Sequence, residues 1–381
     1  MADRVLLVLG MHRSGTSALT RVLNLRGAAL PGELLPANQA NVAGYWEPAA
    51  VVTWHDEFLA AAGSAWDDPT AFPAAAFETP AAETFVERVA DLLRHDLASA
   101  PLVVMKDPRA CRLVPLWRRA IARAGREPLM VLIVRHPLEV AASLQRRDGM
   151  PVAQALLLWL EHVLAAEAST RGDRRAIVTY DQLLGDWRST IARIERDLDL
   201  ALPLAGTDTD AQVDAFLSAD LRHERVERAA IDDEDVSDWV RRVYRWHERA
   251  SQDAGAVDSA ELDDVRRELC QAATLYAPVI RVQRETLARQ AAEQEDLREQ
   301  MERDRRQWAT REQSLQVTIA QLQTQASTLG ERLSTIETQL EAREQASAAL
   351  QTYLDRITST RTWRLRGWCL RQMSKITGRA Y

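Results

Sequence analysis

The stretch that decides the fold is "GMHRSGTSALTRVL", Gly10 to Leu23. It follows the apolar run "VLLVLG" and leads into a pattern of helical spacing. A strand, a glycine-bearing turn and a helix start build an anion site from backbone amides and the helix dipole. The loop that binds ATP reads G-x-x-x-x-G-K-S/T. Gly10 and Gly15 keep that spacing, but Thr16 and Ser17 follow where the lysine belongs. That lysine normally reaches the β- and γ-phosphates. Here the cation comes earlier, at Arg13, so the loop suits a phosphate-like anion of another shape than a magnesium triphosphate.

Three further apolar runs resemble the first: "PLVVMKD" (101–107), "LMVLIVRHP" (129–137) and "AIVTYD" (176–181). Unbroken apolar runs suit strands buried on both faces of a parallel sheet. Helical patterns lie between them, at 17–25, 84–97, 114–124, 138–146 and 151–168. This alternation predicts an α/β fold, a P-loop-NTPase-like doubly wound parallel sheet flanked by helices, over residues 1–275. Ligands then sit at the carboxyl ends of the strands. Two more cations fall there. Lys106 ends the second run. Arg135 ends the third, with Ser143 eight residues on in the next helix. A guanidinium and a hydroxyl so placed could clamp a second phosphate. Three cationic strand ends along one edge imply a polyanionic small molecule.

This constellation resembles the sulfotransferase family that uses 3′-phosphoadenosine-5′-phosphosulfate (PAPS). The family's first motif is similar to His12-Arg13-Ser14-Gly15-Thr16-Ser17, which by that resemblance holds the 5′-phosphosulfate. Its second, R-x-P-x(5)-S, matches Arg135, Pro137 and Ser143 and implies a 3′-phosphate site. "KDP" at 106–108 is similar to a segment of tyrosylprotein sulfotransferases in which the lysine contacts the transferring sulfate. "IVTYDQLL" (177–184) and "NVAGYWEP" (41–48) resemble further stretches of the family. The resemblance covers residues 4–250. It implies in-line transfer of a sulfuryl group to a hydroxyl, carried by positioning and charge. Arg13 and Lys106 are the charge carriers, and no metal is implied. The general base is expected among Glu47, Glu33 and His55, in that order. Trp46, Trp54 and Trp66 stand on the acceptor side, and aromatic faces suit a glycan or polysaccharide. Each also suits a core position. Arg222 and Arg225 are candidates to cover the nucleotide. Two other readings stay open: a nucleotide kinase or other phosphotransferase, and a non-catalytic coiled-coil adaptor with a degenerate nucleotide domain.

From about 280 the composition changes. Gly and Pro almost vanish, and Gln, Glu, Arg and Ala dominate. Stepping by sevens from Leu287 to Ile357 gives apolar residues at nine of eleven positions. The companions four residues on, Ile319, Ala326, Leu333 and Leu340, complete a seam between 315 and 340. The spacing predicts a long C-terminal coiled-coil helix over 280–358, spanning about 100 Å, and a homo-oligomer through 287–357. Dimer and trimer stay open.

The last segment, 359–381, is a basic amphipathic tail. From Arg361 onward it holds six Lys/Arg and no Asp/Glu, with Trp363 and Trp368 interleaved. It suits an anionic membrane surface or an acidic partner. The formal net charge of −7 makes the chain −13 without the tail, which argues against nucleic acid. Cys111, Cys270 and Cys369 are far apart and odd in number, as in a reducing compartment. The N-terminal apolar run is too short for a signal peptide, and no run is long enough to span a bilayer. The expected location is cytoplasmic, with peripheral contact at the inner membrane face.

Overall fold

The computed structural model describes residues 3–36, 44–217, 226–253 and 257–378. The chain opens with strand β1 (Arg4–Leu9) and helices α1 (Thr16–Leu25), α2 (Ala49–Ala61) and α3 (Pro80–His95). Strand β2 (Leu102–Lys106), α4 (Val114–Arg123), β3 (Glu127–Val134), α5 (Pro137–Asp148), α6 (Val152–Ser169) and β4 (Arg175–Thr179) follow. Then come α7 (Tyr180–Gly185), α8 (Trp187–Leu198), α9 (Thr207–Phe216), α10 (Asp238–Ala250), α11 (Ala260–Thr358) and α12 (Arg361–Thr377).

The four strands form one parallel sheet in the order β2-β1-β3-β4. Successive side chains of a strand point to opposite faces. Val5, Leu7 and Leu9 therefore join a core with α3, α4, α5, α6 and α10 residues. Leu6 and Val8 join a second core with α1 and α8 residues. Both faces being covered is why the strands read as unbroken apolar runs rather than alternating ones. The chain leaves β1 for β2 on one side and β3 on the other. β1 is thus the point where the winding reverses, and its carboxyl end opens between two neighbours.

Two compact units divide the chain, Met1–Arg281 and Val282–Tyr381. Helix α11 begins earlier than the composition change suggested, at Ala260, and runs through Pro278. Leu262, Val265 and Leu269 explain the early start, because they are buried in the core of the first unit. From Leu287 to Arg356 every α11 residue is exposed. Thr360 caps α12 by accepting from the Trp363 amide, and Gly378 ends it at φ 65°. Among the described residues no helix is long and apolar enough to cross a membrane.

Candidate active site

The loop after β1 turns tightly. The Ser14 amide donates to the Met11 carbonyl at 3.0 Å. Gly15 then takes φ 88° as the N-cap residue of α1, so the cap position itself supplies no side-chain acceptor. Ala or Ser would be strained at that φ. A Cβ on Gly15 would also lie 2.1 Å from Cδ2 of Tyr180, so the flat face of that ring closes the loop from one side. Arg13 is held at φ 69°, an uncommon value for a side-chain-bearing residue and the kind of strain that clusters at functional sites. The Ser14 hydroxyl is buried without a hydrogen-bond partner among the described residues. An uncapped helix N-terminus beside an unsatisfied hydroxyl is a donor-rich, positive pocket.

Cations from three adjacent strand ends surround it. Arg13 Nε donates to Ser143 Oγ at 2.8 Å, which joins the first motif to the second. Arg135 Nη1 donates to the Arg13 carbonyl at 3.1 Å, and its Nε to the buried carboxylate of Glu139 at 2.8 Å. The Arg135 guanidinium also stands 4.9 Å from the Tyr180 ring centroid, so one aromatic ring packs on both Gly15 and Arg135. Burial lowers the proton affinity of Arg13, and the nearby charges of Arg147 and Arg135 lower it further. Those three guanidiniums repel one another. A bound polyanion would relieve that repulsion.

Lys106 ends β2 on the other side of β1. Its ammonium has three donors and three protein acceptors: Glu47 Oε1 at 2.5 Å, Ser17 Oγ at 3.0 Å and the Tyr45 carbonyl at 3.0 Å. Lys106 is 2% exposed and Glu47 4%. Burial pushes the Glu47 carboxyl above the usual carboxylate range, although Lys106 pulls it back. The segment carrying Glu47 is pinned by antiparallel pairing. The Leu35 amide donates to the Glu47 carbonyl, and the Ala49 amide to the Glu33 carbonyl. Trp46, directly before Glu47, is held at φ 57° with the Arg21 guanidinium 4.5 Å from its ring centroid.

The three base candidates separate. Glu47 sits in the network just described. Glu33 is exposed, on the strand-like partner of the Glu47 segment. His55 does not fit the base role. It is fully buried, Nδ1 lies 2.9 Å from Asp107 Oδ2, and Nε2 accepts from the Trp117 indole at 2.9 Å. An indole only donates, so Nε2 is the acceptor and the proton sits on Nδ1. Both nitrogens are thereby committed to the core. Asp107 is buried, which works to raise its pKa, but His55 and Arg109 hold it far below the usual range.

The remaining loop residues divide by surroundings. Thr16 is buried, while the Ser17 hydroxyl accepts from Lys106 and donates to the Tyr45 carbonyl. The His12 ring packs 4.6 Å from Trp66, and burial with the charges of Arg109 and Arg147 drives its pKa well below the ordinary value. Trp54 and Trp66 are half-buried against the main core. Arg147 covers Trp66 at 5.3 Å. Sequence reasoning missed Tyr180, Glu139 and Arg147. Glu139 was detectable as the i+4 partner of Arg135 on a helix start. Arg222, Arg225 and residues 41–43 lie outside the described residues.

Comparison with known proteins follows the same line. A search of curated proteins finds no match. Three solved structures align over much of the chain. The sulfotransferase domain from the curacin biosynthetic pathway is 15% identical, over 70% of this chain and 97% of that one, with a TM-score of 0.37. The sulfotransferase domain of the Synechococcus PCC 7002 olefin synthase is 16% identical, over 70% and 94%, at 0.36. A sulfotransferase of Mycobacterium tuberculosis H37Rv is 18% identical, over 57% and 72%, at 0.33. The family model described as "Sulfotransferase family" matches residues 6–203, more than half of the chain and all of the sheet from Leu6 to β4. With that match, the chain belongs to the sulfotransferase family.

Proposed function

We propose that this sulfotransferase moves a sulfuryl group from PAPS to a hydroxyl of a glycan. The observation that carries the donor is the crowding of Arg13, Arg135 and Arg147 beside an uncapped helix N-terminus with an unsatisfied Ser14 hydroxyl. Such a site fits a ligand with two separated anionic groups. Arg13 and the α1 amides would hold the 5′-phosphosulfate. Arg135 and Ser143 would hold the 3′-phosphate, with Glu139 fixing the guanidinium. The half-buried Trp66, packed on His12 of the loop, is the aromatic group this reading offers to a sugar acceptor once Arg147 moves off its ring.

In this reading the donor supplies an activated sulfuryl group, and the chain supplies position and charge. Arg13 neutralises charge on the transferring oxygens, and Lys106, whose donors are taken by Glu47, Ser17 and the Tyr45 carbonyl, adds its positive charge through space unless one of these bonds is exchanged for the sulfuryl group. Glu47 takes the proton of the attacking hydroxyl, and its raised pKa makes it a better base than an exposed carboxylate. Lys106 lies at hydrogen-bond distance from Glu47, so base and electrostatic stabiliser are held as one unit.

The test is thermal unfolding with adenosine-3′,5′-bisphosphate beside ADP and ATP·Mg. At 100 times Kd a ligand stabilises by about 2.7 kcal/mol, roughly 5 °C or more for a domain of this size. We expect that shift with the bisphosphate and its loss in Arg135→Ala. Stabilisation by ATP·Mg alone overturns the donor assignment, and radiolabelled sulfate transfer then tests glycan acceptors.

A second expectation concerns pH. Glu47 must be ionised to act, so kcat/KM should climb as pH rises through a pKa above the usual carboxylate range. Glu47→Gln should lower kcat by about 10²–10⁴ and abolish that acid limb. A mutant that keeps the limb shows that another group is the base.

A further inference from the structure

The seam of α11 between Glu312 and Arg343 is nearly symmetric about its centre, with three of its five mirrored pairs identical. Its ten positions, spaced alternately by three and four, read Glu312, Leu315, Ile319, Leu322, Ala326, Leu329, Leu333, Ile336, Leu340 and Arg343. The Leu and Ile side chains among them are 53–61% exposed, and Glu312, Ala326 and Arg343 are exposed too. One apolar stripe about 47 Å long therefore lies uncovered on a single helix. Isolated helices with such a stripe gain stability mainly by packing it.

We propose that a second copy of this chain covers the stripe in antiparallel orientation, about a two-fold axis between Ser327 and Thr328. Antiparallel helices pair the first seam position of one copy with the last of the other. Leu315 then meets Leu340 of the partner subunit, Ile319 meets the partner's Ile336, and Leu322 meets the partner's Leu333. Ala326 meets the partner's Leu329, so small opposes large in the two central layers. Glu312 faces the partner's Arg343, and by symmetry Arg343 faces the partner's Glu312. The two charged positions within this seam thus land on each other with opposite sign.

Charge complementarity decides the direction. A parallel pair in register stacks identical residues, placing Glu312 on Glu312 and Arg343 on Arg343. Like charges in a seam cost several kcal/mol between them. Sliding the antiparallel pair by one heptad is no better. One slide brings Arg343 onto the partner's Arg305, and the other brings it onto the partner's Ile319. Outside the ten positions the match weakens, since Arg305 falls opposite the partner's Leu350. The two copies of Val282 would lie about 140 Å apart along the helices.

The test uses the full chain and sedimentation equilibrium. The wild type should be a dimer. Glu312→Arg should raise the dimer Kd on the order of 100-fold, because each end now sets Arg against Arg343. The double variant Glu312→Arg/Arg343→Glu restores opposite charges and should restore the dimer. Circular dichroism on each variant separates lost pairing from lost helix. Orientation is read by crosslinking in a Cys270→Ser/Cys369→Ser background. Leu315→Cys and Leu340→Cys chains should form a disulfide only when mixed. Crosslinking of either variant alone, a trimer, a monomeric wild type or failure of the double variant to recover overturns the proposal.

Discussion

Lys106→Met should lower kcat by about 10³ or more and destabilise the first compact unit by about 3–5 kcal/mol. The stability loss follows from burial. Lys106 and Glu47 side chains are 2% and 6% exposed, so removing the ammonium leaves a carboxylate in the interior without its counter-charge. Breaking a buried pair by deleting one partner costs about that much. Protonation of Glu47 limits the damage, since its carboxyl already sits above the usual range by burial and rises further without Lys106. That same protonation disables the base. The mutation therefore removes charge stabilisation, worth about 10²–10³, and general base catalysis together. Ser17 and the Tyr45 carbonyl lose a donor as well. The double variant Lys106→Met/Glu47→Leu separates the effects. It should recover most of the stability, because two apolar groups replace a pair, and none of the turnover. Lys106→Met with turnover within tenfold of wild type would place the chemistry elsewhere.

The parts of the site legible in the sequence are those fixed by local pattern. The strands are buried on both faces, so each announces itself as an apolar run, and the residue at its end is placed by counting. Lys106 ends β2, Arg135 directly follows β3, and Arg13 lies in the loop after β1, so the three candidates stand beyond neighbouring strands of the sheet. What failed depends on partners distant in sequence. His55 beside Asp56 looks like an acid–base pair, yet its hydrogen bonds run to Asp107 and Trp117, 52 and 62 residues away. Glu33 and Glu47 are comparable as sequence. Burial against Lys106 distinguishes them, and only the pairing of 33–35 with 47–49 brings that about. Helix α11 starts before the composition changes for a similar reason. Composition records where the helix becomes exposed, whereas Leu262, Val265 and Leu269 already belong to it while still packed in the core.

Gly15→Ala should destabilise by about 2–5 kcal/mol and abolish stabilisation by adenosine-3′,5′-bisphosphate. Two costs add. The left-handed φ of 88° costs an L-residue roughly 1–2 kcal/mol. The new methyl would overlap Tyr180, at 2.1 Å from Cδ2 and 2.7 Å from Cε2, and overpacking of this kind adds about 1–3 kcal/mol. The ring has little room to yield. Tyr180 is 3% exposed and starts α7, where Thr179 and Gln182 form a reciprocal cap that fixes its backbone. The ring also packs on Arg135, so a displaced ring disturbs the guanidinium assigned to the second phosphate. Gly63→Ala isolates the backbone cost. Gly63 has φ 69° and nothing within 4 Å of an added Cβ, so it should lose only about 1 kcal/mol and leave ligand binding intact. The difference between the two variants in urea unfolding measures the overlap with Tyr180. If both lose the same stability and both still bind the bisphosphate, the ring does not hold the loop, and the link from Gly15 through Tyr180 to Arg135 is wrong.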